Sequence, residues 1–273
     1  MSLSDDERKR LAEAWMAASA RHGTVIINHV GGNSITATCE LAAHAQAVGC
    51  HAISVMPPFF FKPTGAAHLA TWLKAVGAAA PALPLYYYHF SAITGVAVDP
   101  LELIQACEEV GVPTFRGFKF TDFNTWHYDN VLRYRGGHYD VPYGRDECAL
   151  AGLAVGAQGH IGNAFNYSAG LFERLRRAFW AGDLVAARME QGRANALVNM
   201  MFGGKYGPSA LAVNRRMYEL KGAVKLGPPR APIVALNAEQ AAQLNADLTA
   251  CGFFSWCDDE KGDKEGSKFP SKA

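Results

Sequence analysis

The sequence predicts an α/β fold built around a parallel β-sheet. Short runs of β-branched and aromatic residues alternate with longer amphipathic segments, and the junctions carry turn-forming or helix-capping residues. Hydrophobic residues make up 49% of the 273 positions, so the chain can bury a sizeable core. The 26 Lys and Arg residues nearly balance the 25 Asp and Glu residues, which excludes the charge excess typical of disordered chains.

Strands and helices alternate regularly along the first part of the chain. Ser4 and Glu7 have the Ser-x-x-Glu spacing of a capping box, so the first element is a helix. Asp99 and Pro100 are typical of a helix start, and Gly111 is typical of its end. The predicted strands are 24–30, 52–56, 83–88, 114–120, 139–143 and 159–163. The predicted helices are 4–23, 34–48, 65–80, 101–110, 124–135 and 146–155, followed by three or four more within 169–250.

Six strand–helix units are two fewer than an eight-stranded (β/α) barrel contains. Either the sheet is open or part of a barrel is missing, and the opening helix, which has no preceding strand to pack against, favours the second alternative. We predict one domain over 1–257 that ends in C-terminal helices. The strongly charged tail over 258–273 is expected to be disordered.

Composition excludes several classes of protein. A net charge of +1 predicts no basic face for nucleic acid. The N-terminus is charged from Asp5 onward and lacks an apolar core, so we expect no signal peptide and a cytoplasmic location. A long uncharged stretch, 75–98, contains prolines and tyrosines, so no membrane span is expected. The six cysteines are scattered without metal-ligand spacing, so we expect buried thiols and no metal site.

The fourth and third predicted strands carry candidate catalytic side chains. Strand alternation puts Phe115, Gly117 and Lys119 on one face, which would point into a barrel. Aromatic neighbours would desolvate the Lys119 amine and lower its pKa, which favours attack on a carbonyl carbon. On the preceding strand Tyr86 and Tyr88 share the inward face, and Tyr88 could relay a proton. The structural alternatives are a lysine that extends to solvent and an aromatic core with satisfied hydroxyls.

Two further strand ends carry polar or glycine-rich motifs. Gly144-Arg145-Asp146-Glu147 places two carboxylates at the start of a helix. These carboxylates either cap that helix or bind sugar hydroxyls at the mouth of a barrel. Gly159-His160-Ile161-Gly162-Asn163 ends the sixth strand with glycines that would let a ligand approach the backbone. The sequence contains neither a dinucleotide fingerprint nor a P-loop.

Several motifs occur together in a specific order. They are Tyr86-Tyr87-Tyr88-His89 with Ile93-Thr94-Gly95-Val96, Gly117-Phe118-Lys119-Phe120-Thr121-Asp122, Gly144-x-Asp146-Glu147, Gly162-Asn163-x-Phe165-Asn166-Tyr167 and Gly227-Pro228-Pro229-Arg230. With these motifs in this order, the chain resembles the N-acetylneuraminate lyases of the dihydrodipicolinate synthase/N-acetylneuraminate lyase family. It resembles the animal-type lyases more closely than the bacterial ones. The likeness runs from about residue 3 to about residue 258 and includes the aromatic loop 58–63.

The resemblance implies a class I pyruvate aldolase on a TIM-type (β/α)8 barrel, which cleaves N-acetylneuraminate to N-acetylmannosamine and pyruvate. Lys119 matches the lysine that forms an imine with the keto carbon, and Tyr88 matches the tyrosine that relays the proton of the C4 hydroxyl. Thr121 matches a residue near that hydroxyl. The positions that match sugar-binding groups are Gly144, Asp146, Glu147, Gly162 and Asn163. The resemblance implies no metal or organic cofactor, and it implies a homotetramer.

The sequence departs from related proteins at informative positions. Ile93 stands where dihydrodipicolinate synthases carry an arginine that holds a carboxylate, which favours lyase activity. Asn163 stands where the lyases carry serine, so an aldolase for another 2-keto-3-deoxy sugar acid is an alternative. The chain has no counterpart of the family's first strand, first helix and second strand. These elements include the Gly-Thr-Thr-Gly-Glu type motif that binds the pyruvate carboxylate, so we expect a truncated N-terminus. A catalytically inactive fragment that binds sugar acids is the third alternative.

Overall fold

The computed structural model describes residues 2–222 and 224–257, so the predicted disordered tail 258–273 lies outside the described residues. The strands are β1 (Ile27–His29), β2 (Ala52–Val55), β3 (Leu85–His89) and β4 (Phe115–Phe120). The helices are α1 (Asp5–His22), α2 (Ile35–Ala47), α3 (Ala66–Ala79), α4 (Ser91–Thr94), α5 (Pro100–Val110), α6 (Thr125–Arg133), α7 (Ala149–Val155), α8 (Phe165–Trp180), α9 (Leu184–Phe202), α10 (Ala210–Leu220), α11 (Ala238–Cys251) and α12 (Phe253–Cys257). Within the described ranges, none of the helices is long and apolar enough to cross a membrane.

Capping side chains begin the helices where the sequence predicts them. The Ser4 backbone amide donates to the Glu7 carboxylate at 2.8 Å, and the Glu7 amide donates to the Ser4 hydroxyl, so both halves of the capping box are present. Asp99 accepts a hydrogen bond from the Leu101 amide at 2.8 Å and begins α5. Gly111 ends that helix in the left-handed conformation with φ of 75°. Each polar cap typically contributes about 1 kcal/mol to helix stability.

The strands form one parallel sheet in the order β1-β2-β3-β4. Isolated parallel bridges extend it from Gly117 to Asp140, from Phe120 to Tyr143 and from Tyr143 to His160. All six predicted strand positions therefore take part in parallel pairing, and the predicted α/β class is confirmed. Among the described residues β1 pairs only with β2, and the predicted absence of preceding barrel elements stays a prediction.

The described residues form two compact units. The first contains the chain up to Arg145 together with Ala151–Ile161, and it holds the sheet. The second contains Asp146–Leu150 and the described chain from Gly162 onward, and it holds α8 to α12. In the second unit the buried Glu190 carboxylate accepts hydrogen bonds from Arg174 on α8, which ties that helix to α9. The predicted single domain over 1–257 stays a prediction.

The two faces of the strands differ in polarity. One face is fully buried and apolar, with Ile53, Leu85, Tyr87, Phe118 and Phe120 each no more than 1% exposed. The other, which we call the polar face, is only half-buried. The polar face is formed by His29, Ser54, Tyr86, Tyr88 and Lys119. This alternation explains why the strand sequences mix aromatic with polar residues.

The structure corrects the predicted faces of β4. Pairing with β3 skips one residue between Phe115 and Gly117, so Arg116 is the extra residue of a β-bulge. The bulge shifts the alternation by one position, and Phe115 packs edge-on against Phe118 with the ring centroids 5.4 Å apart. The prediction that Phe115 shares a face with Lys119 is therefore wrong. The bulge arises from pairing with the partner strand, so the alternation of β4 alone does not reveal it.

Gly117 is the position of β4 with the strictest steric requirement. Its φ is 150°, and a Cβ atom there would lie 1.7 Å from the backbone oxygen of Asp140. We expect Gly117→Ala to lower the free energy of unfolding by about 3 kcal/mol or more, because both backbone conformation and strand separation would have to change. Urea unfolding monitored by circular dichroism measures this difference.

Gly65 offers the matched control for Gly117→Ala. Its backbone is extended, with φ of 176°, and a Cβ atom there would meet nothing within 4 Å. We expect Gly65→Ala to change the free energy of unfolding by less than about 1 kcal/mol. Equal stabilities of the two variants would contradict the steric explanation.

Candidate active site

Lys119 and Tyr88 lie side by side near the carboxyl ends of β4 and β3. They are direct register partners in the parallel sheet. The Lys119 Nζ atom lies 4.1 Å from the centroid of the Tyr88 ring, which is a cation–π contact. Both side chains are half-buried, so the amine is held against an aromatic ring and stays accessible to a small molecule. The structure thus brings the two predicted catalytic residues together.

Two rings hold Tyr88 in position, and sequence analysis singled out neither. Phe90 stacks on Tyr88 with a centroid separation of 5.7 Å. His29, the last residue of β1, contacts Tyr88 edge-on at 6.2 Å. Burial and the nearby positive charges of Arg8 and Lys119 lower the pKa of His29 to about 4, so its imidazole is neutral at pH 7.

Thr121 and Gly144 lie at the same end of the sheet as Lys119. The Thr121 amide donates to the His89 carbonyl at 2.9 Å, and the Gly144 amide donates to the Phe120 carbonyl at 2.7 Å. The Thr121 side chain is buried, and its Oγ1 atom has no hydrogen-bond partner among the described residues. A Cβ atom at position 144 would lie 2.0 Å from that oxygen, so glycine leaves the space that the hydroxyl occupies.

The remaining predicted site residues belong to the second unit. The Asp146 carboxylate is buried and accepts a hydrogen bond at 2.9 Å from the amide of Ala164, just before α8. A Cβ atom at Gly162 would lie 1.5 Å from Asp146 Oδ1, so the two residues are in tight contact. Glu147 is half-buried and Asn163 is exposed. Asp146 therefore anchors the turn that presents Asn163.

The described part of the chain contains no group of three or more His, Cys, Asp or Glu residues that could hold a metal ion. The chemically distinctive feature of the first unit is the pair of an amine and a phenol on the polar face. An amine forms imines with carbonyl compounds, and a phenol can transfer a proton to or from the resulting adduct. The arrangement is therefore suited to covalent catalysis by a lysine.

The chain is a lyase with a parallel α/β fold, as its similarity to known lyases shows. It belongs to the dihydrodipicolinate synthetase family, which it matches over residues 1–251. N-acetylneuraminate lyase of Gallus gallus is 36% identical over 249 residues, covering 91% of this chain and 80% of that protein. The Homo sapiens lyase is 33% identical over 266 residues, covering 97% and 82%. The predicted family resemblance is thus confirmed.

Solved structures give the same result. The Proteus mirabilis N-acetylneuraminate lyase superposes with a TM-score of 0.86 at 35% identity, covering 92% of this chain and 82% of that one. The Aliivibrio salmonicida enzyme has the same TM-score at 33% identity, covering 92% and 81%. These matches confirm the TIM-barrel type of α/β fold that the resemblance implies.

Proposed function

We propose that the chain is a class I aldolase that cleaves N-acetylneuraminate to N-acetylmannosamine and pyruvate through an imine on Lys119. The observation that carries the proposal is the position of the Lys119 amine, 4.1 Å from the Tyr88 ring at the carboxyl ends of adjacent strands. The substrate is supported by relatives named N-acetylneuraminate lyase that are 32–38% identical to the chain.

The reaction follows from the amine and the phenol. The Lys119 amine attacks the C2 carbonyl carbon of the sugar acid, and loss of water gives a protonated imine. Tyr88 accepts the proton of the C4 hydroxyl, and the C3–C4 bond breaks as its electrons move into the imine. This step releases the aldehyde N-acetylmannosamine and leaves an enamine on Lys119. Protonation at C3 and addition of water then release pyruvate and restore the amine.

The other predicted residues would bind the substrate. Thr121 has a buried hydroxyl with no partner among the described residues, which supports a hydrogen bond to the substrate near C4. The sugar tail would be bound at Gly144, Asp146, Glu147, Gly162 and Asn163. For Asp146 we propose an indirect role, because its carboxylate holds the Ala164 amide and so positions the turn before α8.

The proposal includes a cytoplasmic homotetramer that uses neither a metal nor an organic cofactor. The imine accepts the electrons of the broken C3–C4 bond, so the mechanism does not require a bound ion. The family resemblance supports the tetramer. Light scattering coupled to size-exclusion chromatography measures the assembly directly.

Pyruvate release tests the proposed activity. The purified protein is incubated with N-acetylneuraminate, pyruvate is followed with lactate dehydrogenase and NADH, and N-acetylmannosamine is measured by chromatography. We expect both products in equal amounts. Faster cleavage of 2-keto-3-deoxygluconate would instead support the second candidate, an aldolase for another sugar acid, which the exposed Asn163 in place of serine favours. Failure to cleave any of these acids would overturn the proposal and favour an inactive binding protein.

Gly162→Ala is expected to weaken sugar-acid binding. The added Cβ atom would displace the Asp146 carboxylate and release the turn that carries Asn163. We expect the KM for N-acetylneuraminate to rise about tenfold, since small misplacements of binding groups have effects of this size. The matched control is Gly192→Ala on α9, where the added Cβ atom would meet nothing within 4 Å. An unchanged KM in Gly162→Ala would contradict the positioning role of Asp146.

A further inference from the structure

A cleft in the second unit is lined by residues that the proposed chemistry does not use. It encloses about 470 Å³ between α10, the segment 225–236 and α11. Sites for small organic ligands usually have volumes of about 300–1,000 Å³. One wall is formed by Gly227, Pro228 and Pro229, which belong to a motif without a role in imine formation. None of the predicted site residues is among the described residues that line the cleft.

The turn that begins this wall is held from two directions by α10. The Arg215 guanidinium donates to the carbonyls of Leu226 and Gly227 at 2.6 and 3.0 Å. The Glu219 carboxylate accepts a hydrogen bond from the Leu226 amide at 2.8 Å and a further one from the Gly227 amide. The two prolines that follow fix their own φ angles. The wall is therefore ordered before a ligand arrives, which lowers the entropic cost of binding.

The charges in the cleft favour a dianion. Among the described residues that line it, the cations are Arg215, Arg216 and Lys225, and the one carboxylate is Glu219, so two positive charges are in excess. Hydrogen bonds from two backbone amides and the ion pair with Arg216 hold the pKa of Glu219 below its usual value, which keeps this carboxylate charged at pH 7. A phosphate monoester carries a charge of about −1.5 to −2 at pH 7, which matches the excess.

Two of these cations remain within reach of a ligand. The Arg216 side chain keeps 38% of its surface exposed although it pairs with Glu219 at 3.3 Å. Lys225 is exposed, and its ammonium pairs with no carboxylate in the part of the chain that the structure describes. Guanidinium and ammonium groups are common partners of phosphate. Pro228 and Pro229 add an apolar surface for the body of such a ligand.

We propose that this cleft binds a phosphate monoester with a flat organic body, of which a nucleoside monophosphate is the simplest case. The phosphate would accept hydrogen bonds from Arg216 and Lys225, and the base would lie against Pro228 and Pro229. All residues that line the cleft belong to the second unit, whereas the lysine–tyrosine pair belongs to the first. The inference therefore does not depend on the imine chemistry.

Calorimetric titration of the purified 273-residue chain tests this site. The probe is AMP, adenosine lacks its phosphate, and ribose 5-phosphate lacks its base. Arg216→Gln and Lys225→Gln each remove one positive charge from the cleft. The matched control is Arg188→Gln on α9. Arg188 is exposed, donates to the Leu184 carbonyl at 3.2 Å and does not line the cleft.

We expect AMP to bind the wild type with a Kd of about 10–100 µM, which is usual for a ligand of this size. Arg216→Gln and Lys225→Gln should each raise this Kd about tenfold, the effect of losing a hydrogen bond to a charged group. Arg188→Gln should stay within about twofold of the wild type. Adenosine should bind at least about tenfold more weakly than AMP because it lacks the charge, and ribose 5-phosphate more weakly because it lacks the apolar contact.

Several results would overturn the site. Absence of AMP binding to the wild type at millimolar concentrations would exclude it, and an unchanged Kd in Lys225→Gln would place the bound AMP elsewhere. An equal loss in Arg188→Gln would show general attraction between charges. Adenosine or ribose 5-phosphate binding as tightly as AMP would contradict the assigned ligand class. Thermal unfolding checks that the variants fold, and the exposed Lys225 decides the question if Arg216→Gln does not fold.

Discussion

Lys119→Met is expected to reduce pyruvate release from N-acetylneuraminate by at least about 10³-fold, because no imine can form without the amine. The C3–C4 bond then has no electron acceptor, and the phenol of Tyr88 cannot compensate. Methionine has a similar length and an apolar stem, so its side chain fills nearly the same space against the Tyr88 ring. The lactate dehydrogenase assay measures the loss.

Lys74→Met is the matched control for this variant. Lys74 is exposed on α3, and its ammonium donates to the Val110 carbonyl at 2.8 Å, away from the polar face. We expect this variant to retain activity within about twofold of the wild type, as surface substitutions have small effects. Activity of Lys119→Met above one per cent of the wild-type rate would contradict the assigned role.

Tyr88→Phe is expected to separate imine formation from bond cleavage. The substitution retains the ring that contacts Lys119 and Phe90 and removes only the hydroxyl. We expect kcat for N-acetylneuraminate cleavage to fall about 10²- to 10⁴-fold, the usual range for loss of a general acid or base. Pyruvate should still label Lys119 after borohydride reduction, because imine formation uses the amine. Steady-state kinetics and trapping on the same preparation measure both steps.

Tyr86→Phe provides the control, since Tyr86 lies on the same polar face. Its hydroxyl donates to Asp140 Oδ2 at 3.0 Å, and burial together with the Asp140 charge raises the pKa of Tyr86 to about 12. This phenol is therefore engaged elsewhere and holds its proton firmly. We expect kcat to change less than about threefold. A loss equal to that of Tyr88→Phe, or a near-normal rate for Tyr88→Phe, would contradict the proton relay.

The order of strands and helices could be predicted from the sequence because periodicity and capping residues are local signals. The Ser4 box and the Asp99 cap act over a few positions, and both occur where predicted. Alternation along β3 and β4 also predicted that Tyr88 and Lys119 share a face, which the register confirms. Features that depend on one strand or one turn could thus be predicted from the sequence.

Features that depend on distant parts of the chain could not be predicted from the sequence. The bulge that moves Phe115 exists only through pairing with β3, and the need for glycine at position 117 comes from Asp140. The Asp146 carboxylate accepts a hydrogen bond from the Ala164 amide, 18 residues away in the chain. His29 gave no signal because its neighbour Tyr88 is on a strand two positions away in the sheet.

Reductive trapping of pyruvate is the decisive test of imine formation on Lys119. The purified 273-residue chain is incubated with pyruvate and borohydride, digested, and analysed by peptide mass spectrometry. We expect one reduced adduct, located on Lys119, that depends on pyruvate and disappears in Lys119→Met. Absence of an adduct, or its presence on a different lysine, would contradict imine catalysis at this site.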